Sequence, residues 1–218
     1  MGEDVSTEYT STDPRSHSTC LTRFARSIKT DPTVIHMLIS MHEAGFPVKI
    51  SRDFACEPCS PRVAGGFDPR RQQIVLCENN IYSQIHMNEV LTHELVHSFD
   101  DKSVNLDWHD LKHLACTEVR AANLSGECSF SKENFIRFNF GFKSHNRECV
   151  KHRAAQSIST VKEGVSYDQA REIIDSVFDQ CYSYTRPFQG IPPLSPLKST
   201  RWQFLNYFNS EKPFYYEE

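Results

Sequence analysis

Two histidines and a glutamate in the run His93-Glu94-Leu95-Val96-His97 are the residues whose types and spacing most directly suggest chemistry. On an α-helix, residues four apart are offset by about 40° around the axis and about 6 Å along it, so both imidazoles can reach one point. One metal ion can bind both. Glu94 is turned roughly 100° from His93, which lets its carboxylate meet a water at that ion and serve as general base. These roles describe metal-assisted hydrolysis with Zn2+ as the expected ion. Histidine pairs also arise on helices by chance, so the flanking sequence decides the weight of the motif.

The flanks predict a buried active-site helix over Gln84 to Asp100. Ile85, Val90, Leu91 and Leu95 recur at helical intervals, Ser83 is placed to cap the start, and Asp100-Asp101-Lys102 makes a polar exit. A catalytic zinc takes three protein ligands and leaves one position for water. Glu118 is the expected third ligand. It lies on a second predicted helix, near Lys112 to Leu124, within a stripe formed by Leu111, Leu114, Ala115, Ala121 and Ala122. An ionised carboxylate on such a stripe needs a cation, because burying it alone is too costly for one domain. Two histidines on one helix and a glutamate on the next resemble the gluzincin pattern. A buried Glu118–Arg120 or Glu118–histidine pair is the alternative. Asp100, His109 and His113 are rivals for the ligand role. Asp100, two turns beyond His93 on the same face, is assigned to orienting an imidazole, and His113 lies about 140° from Glu118 if one helix holds both.

Three blocks carry a wider resemblance: His93-Glu-Leu-Val-His-Ser-Phe-Asp100, Ala115-Cys-Thr-Glu-Val-Arg-Ala-Ala-Asn-Leu-Ser-Gly-Glu-Cys128, and Asp179-Gln-Cys-Tyr-Ser-Tyr-Thr-Arg-Pro-Phe188. They resemble the mitochondrial metalloproteases that mature and help assemble the membrane sector of ATP synthase, animal members of which are also described as Ku-binding proteins. The resemblance covers roughly Cys20 to Phe188. It implies a zinc peptidase of the mitochondrial intermembrane space, attached peripherally to the inner membrane, with Glu94 catalytic and His93 and His97 as ligands. It also implies protein substrates, with maturation of an ATP synthase membrane subunit and/or degradation of intermembrane-space proteins as the expected activity. An ATP synthase assembly chaperone acting independently of proteolysis is the competing expectation, and a nuclear Ku-binding factor is disfavoured if the cysteines are paired.

The remaining chain must position these groups. Its 218 residues, 39% of them hydrophobic, suit one domain with a sizeable core. A net charge of −4 without a Lys/Arg cluster argues against nucleic-acid binding. Residues 1–19 read as a disordered polar lead, acidic and with Arg15 as the one basic residue, unlike a targeting helix. No apolar run approaches the roughly 20 residues needed to span a bilayer, so membrane association is expected to be peripheral. Residues 20–188 are assigned to the peptidase domain and 189–218 to a tail rich in proline and aromatic residues.

Eight cysteines permit four disulfides, which suits an oxidising compartment. Cys56-Glu-Pro-Cys59 alone also suits half a zinc site or a redox pair, whereas Cys116 is expected to tether the ligand helix. Asp31, Pro32 and Gly45 punctuate a helix from Asp31 to Ala44, on which His36 and His42 are expected at the surface. Val48 to Phe54, Arg62 to Phe67 and Gln72 to Cys77 read as strands, and Ala64-Gly-Gly66 is a candidate edge for an extended substrate. The phenylalanines from Phe130 to Phe142 are expected to pack in the core. Asn146 to Gln156 reads as a basic helix suited to anionic lipid, and Ser166-Tyr-Asp-Gln169 as a capping box opening a helix that carries Cys181. His109, His113, Arg120 and Tyr182 are candidate oxyanion donors. The sum is an α+β fold, a minimal gluzincin-like zincin with a small sheet, an active-site helix and a following ligand helix.

Overall fold

The structure, a computed structural model, describes residues 14–128, 144–188 and 190. Its elements follow in the order α1 (Pro14–Thr30), α2 (Pro32–Glu43), α3 (Ile50–Asp53), β1 (Phe54–Glu57), β2 (Gly65–Asp68), β3 (Gln73–Cys77), α4 (Gln84–Ser103), α5 (Leu111–Leu124), α6 (Ser144–Val161) and α7 (Tyr167–Ser183). Among the described residues this is an α+β arrangement of seven helices and one three-stranded sheet.

Side chains set the helix starts. Asp31 accepts the Thr33 and Val34 N–H groups ahead of α2, Ser83 accepts from His86 ahead of α4, and Asp110 accepts from Lys112 and His113 ahead of α5. Ser166 and Gln169 form the expected reciprocal box at the start of α7. No helix among the described residues is long and apolar enough to cross a membrane.

The core has two lobes that share the central helices. In one, Met87, Leu91, Leu95 and Phe99 of α4 pack against α1, α2 and the sheet. In the other, Leu114, Ala115, Val119 and Ala122 of α5 pack against α6 and α7. Ala121 and Leu124 on the opposite face of α5 join the first lobe, so α4 and α5 lie side by side at the junction.

Four disulfides staple this arrangement: Cys20–Cys56, Cys59–Cys77, Cys116–Cys181 and Cys128–Cys149. Cys116 does tether α5, through α7. Cys56 and Cys59 pair with different partners, which removes both the zinc half-site and the redox-pair readings of that motif.

Several sequence expectations need correction. The strand expected over Val48 to Phe54 gives way to the single turn α3, because the buried Asp53 carboxylate accepts the Lys49 N–H and pairs with Arg52. Helix begins at Pro14, inside the expected polar lead, and Ser16 and His17 tie its first turn to Glu78 beside the sheet. His36 is half-buried and stacks on Phe188 rather than standing at the surface. The basic residues of α6 make ion pairs within the fold, Arg147 with Asp179, Lys151 with Asp175 and Arg153 with Glu127. The phenylalanines from Phe130 to Phe142 and the aromatic residues after Pro192 lie outside the described residues.

The sheet has order β1-β3-β2, with β1 parallel and β2 antiparallel to β3, so β2 is an edge strand. It rests directly on α4 at Gly65, where an added Cβ would stand 2.6 Å from Val90 Cγ1, 3.2 Å from the Val75 carbonyl oxygen and 3.3 Å from Glu94 Cγ. One residue on, Gly66 points to the other face and an added Cβ meets nothing within 4 Å. Gly65→Ala is therefore expected to destabilise the protein by about 1–3 kcal/mol through overpacking, while Gly66→Ala stays within about 0.5 kcal/mol. Urea unfolding of the two variants checks this; equal midpoints would remove the claim that β2 is seated on α4 through Gly65.

Candidate active site

Helical spacing on α4 stacks the imidazoles of His93 and His97 one turn apart, ring centroids 4.8 Å from each other. Cap Asp110 and tether Cys116–Cys181 fix α5 alongside, with Glu118 facing the pair. His93 Nε2 lies 3.4 Å from Glu118 Oε2 and His97 Nε2 lies 3.7 Å from Glu118 Oε1. The fold thus gathers three residues singled out from the sequence, with one ligand-type atom from each inside a 4.8 Å set.

The Glu118 carboxylate is 5% exposed, and Oε2 is buried without a hydrogen-bond partner. Oε1 accepts the Ser157 hydroxyl at 2.8 Å. A buried carboxylate with one oxygen toward each of two imidazole nitrogens, in place of the Glu118–histidine pair alone, is a donor set that fits a divalent cation of the zinc type.

Neighbouring groups orient each imidazole. Thr117 Oγ1 stands 3.0 Å from His97 Nδ1 and gives its own proton to Asp100 at 2.8 Å. Its hydroxyl therefore accepts the Nδ1–H of His97, which leaves Nε2 bare toward Glu118. Asp100, expected to orient an imidazole, does so one group removed, and its charge is matched by Arg120, Nη2 2.8 Å away. His93 Nδ1 faces Glu127 Oε1 at 3.3 Å, and Glu127 Oε2 takes Arg153 Nε at 2.7 Å.

The electrostatics follow from this crowding. Burial holds His97 down to about 4, so it is neutral, the form that ligates metal. Burial opposes charge on His93 too, yet contacts with Glu118 and Glu127 outweigh it and raise its pKa well above the usual imidazole range. Burial also works to raise Glu127, but His93 and Arg153 more than reverse this and hold it at about 2. The ligand pocket therefore favours positive charge between its carboxylates.

Glu94 is buried beside them. Burial pushes its carboxyl up to about 7, opposed by His93 and reinforced by Glu118 and Glu127. Its one backbone partner is the N–H of Phe67 on β2. In the ladder, Cys77 N–H bonds the Ala64 carbonyl and Gly66 faces Val75, so the main-chain groups of Gly65 and Phe67 point away from β3. The free edge of β2 thus borders the Glu94 carboxylate, in accord with the expected edge at Ala64-Gly-Gly66. A cleft of about 820 Å³ opens there, lined by Ala64 and Gly65, by His93 and Glu94, and by Arg153 and Ser157 on α6.

Other expected participants lie elsewhere. His109 and His113 are exposed, and neither joins the ligand cluster among the described residues. Arg120 is committed to Asp100 and to the carbonyls of Tyr184 and Arg186, so the Glu118–Arg120 pair does not form. Tyr182 donates to Asn146, and none of the four candidate oxyanion donors lines the cleft. Thr117, Glu127 and Ser157 were not singled out from the sequence. Glu127 follows Gly126, whose φ of 84° ends α5 and turns the chain back toward His93. A glycine just after the last apolar residue of the ligand helix was the available signal.

Comparison with known proteins identifies the family. A model of the Peptidase M76 family matches residues 18–189. The human mitochondrial inner membrane protease ATP23 homolog is 46% identical over 178 residues, covering 81% of this chain and 72% of that protein. The Danio rerio protein of the same name is 48% identical over 167 residues, 76% of this chain and 65% of the relative. The Schizosaccharomyces pombe mitochondrial inner membrane protease atp23 is 36% identical over 162 residues, 73% and 85% respectively. No solved structure matches. With its match spanning both site helices and most of the chain, this protein belongs to the Peptidase M76 family.

Proposed function

We propose that this peptidase is a zinc-dependent endopeptidase in which His93, His97 and Glu118 hold the metal and Glu94 is the general base. The observation that carries this reading is the convergence of the three ligand atoms within 4.8 Å, with the buried Glu94 carboxylate beside them. It is a gluzincin-like arrangement on a small α+β scaffold, with residues 20–188 as its catalytic unit. When bound, zinc supplies Lewis acidity, polarising the scissile carbonyl and making a water acidic at neutral pH. Glu94 takes a proton from water entering the cleft and delivers it to the departing amine nitrogen. Gly65 offers its free N–H and carbonyl on the edge of β2 to an extended substrate backbone.

The same reading extends to location and substrate. Relatives named as mitochondrial inner membrane proteases, together with four disulfides, support action in the intermembrane space at the inner-membrane surface. The family resemblance read from the sequence supports a membrane subunit of ATP synthase, and/or proteins of the intermembrane space, as the substrate.

Purified oxidised chain is expected to hold one zinc and to cleave an unstructured polypeptide. Glu94→Gln should keep the zinc and lose about 10²–10⁴-fold in cleavage rate. Glu118→Ala should lose the zinc, whereas His113→Ala keeps it. Wild-type protein without tightly bound metal, or full cleavage by Glu94→Gln, overturns the assignment.

A second outcome concerns stability without metal. Because the Glu94 carboxyl is raised from 4.5 to about 7 in the folded protein, its contribution is fully present below about 4.5 and is lost as pH rises through about 7. Glu94→Gln removes that loss and keeps an acceptor for the Phe67 N–H. In chelator, urea unfolding should show the variant gaining on wild type between pH 5 and pH 8, by on the order of 3 kcal/mol at most. A constant difference across that range contradicts the burial of this carboxyl.

A further inference from the structure

Helix α6 carries none of the three expected ligands, yet one of its stripes reaches two of them. Cys149, Arg153 and Ser157 recur at intervals of four and so share a face of the helix. Ser157 gives its hydroxyl proton to Glu118 Oε1, leaving Oε2 of that carboxylate as the unpaired atom directed at His93. Arg153 binds Glu127 Oε2, which turns Oε1 of the same carboxylate onto His93 Nδ1. One turn earlier, Cys149 is bonded to Cys128, the residue directly after Glu127. The disulfide and the Arg153–Glu127 pair therefore lie one helical turn apart and fix the exit of α5 to α6 at two points.

We propose that Glu127 and Ser157 are positioning residues of the metal site, each presenting one ligand in its binding geometry, and that α6 is the rigid element holding both in register. This rests on the reading of His93, His97 and Glu118 as metal ligands. Glu127 accepts the Nδ1–H of His93, so that Nε2 is the nitrogen left for the ion. Ser157 holds Glu118 in one rotamer, with Oε2 toward His93 and Oε1 toward His97. His97 has its own orienting group in Thr117, and each of the three ligands then has one dedicated hydrogen-bond partner. The pairing also explains why a carboxylate as buried as Glu127 is kept next to a carboxylate ligand: Arg153 matches its charge, and its hydrogen-bonding capacity is spent on His93.

Glu127→Gln and Ser157→Ala test the proposal. A neutral amide puts an NH2 donor where one carboxylate oxygen stood, so it cannot offer separate acceptor atoms to His93 and Arg153, while alanine removes only the hydroxyl. In the oxidised full chain, zinc affinity measured by competition with a chromogenic chelator should fall about 10–100-fold in each variant. Ser157→Thr, which keeps a hydroxyl, should recover to within about threefold of wild type. The visible absorption of the cobalt(II)-substituted Glu127→Gln protein should change in band position or intensity, a readout that a purely structural contact does not move. Metal-free melting temperatures of both variants should stay within about 4 °C of wild type. Wild-type zinc affinity and an unchanged cobalt spectrum in Glu127→Gln and Ser157→Ala overturn the positioning roles while leaving the metal assignment intact. Affinity losses that follow metal-free melting, with no rescue by Ser157→Thr, overturn them in favour of a stability role. Failure of the wild-type chain to bind zinc instead removes the metal assignment on which they rest.

Discussion

The constraint that organises this molecule is the crowding of four carboxylates, the buried Glu94, Asp100 and Glu118 and the partly buried Glu127, where two central helices meet. Carboxylates taken out of water stay ionised only against a cation or several donors. Asp100 has Arg120 on both oxygens, and Glu127 has Arg153 and His93. Glu94 has one backbone N–H and responds by keeping its proton to higher pH. Glu118 is left with a hydroxyl on one oxygen and two imidazoles at 3.4 and 3.7 Å, an arrangement that a divalent ion would fit. Each carboxylate thus has a different counter-group.

The two lobes exist to hold that junction still. The sheet and the first two helices fix one side of α4, setting edge strand β2 over Glu94 by the close seat of Gly65. The last two helices fix α5 from the other side through an alanine-rich face and the Cys116–Cys181 bridge. Small side chains on α5 permit close helix approach, and close approach brings Glu118 within reach of α4. The ligand distances are therefore a product of the packing and not of the motif alone.

Much of this was legible in the sequence. Ser83 and Asp110 cap α4 and α5, so the expected starts of both helices agree with the structure to within a residue. Helical periodicity was enough to put His93 and His97 on one face and Glu118 on a buried stripe. What escaped depended on contacts distant in sequence. Asp53 folds back on Lys49 to make a turn where alternation suggested a strand. The start of α1 is held by Glu78, far along the chain, so its polar composition misled. Ser157 reaches Glu118 from a helix whose charged residues drew attention instead, and cysteine count alone could not say which sulfurs meet.

The Cys128–Cys149 bridge keeps its two Cα atoms 5.7 Å apart, so the chain just after Glu127 is covalently fixed to α6 one turn before Arg153. The carboxylate and its guanidinium counter-charge are thereby brought together by a bond that salt does not screen, and their pairing does not depend on the strength of the ion pair itself.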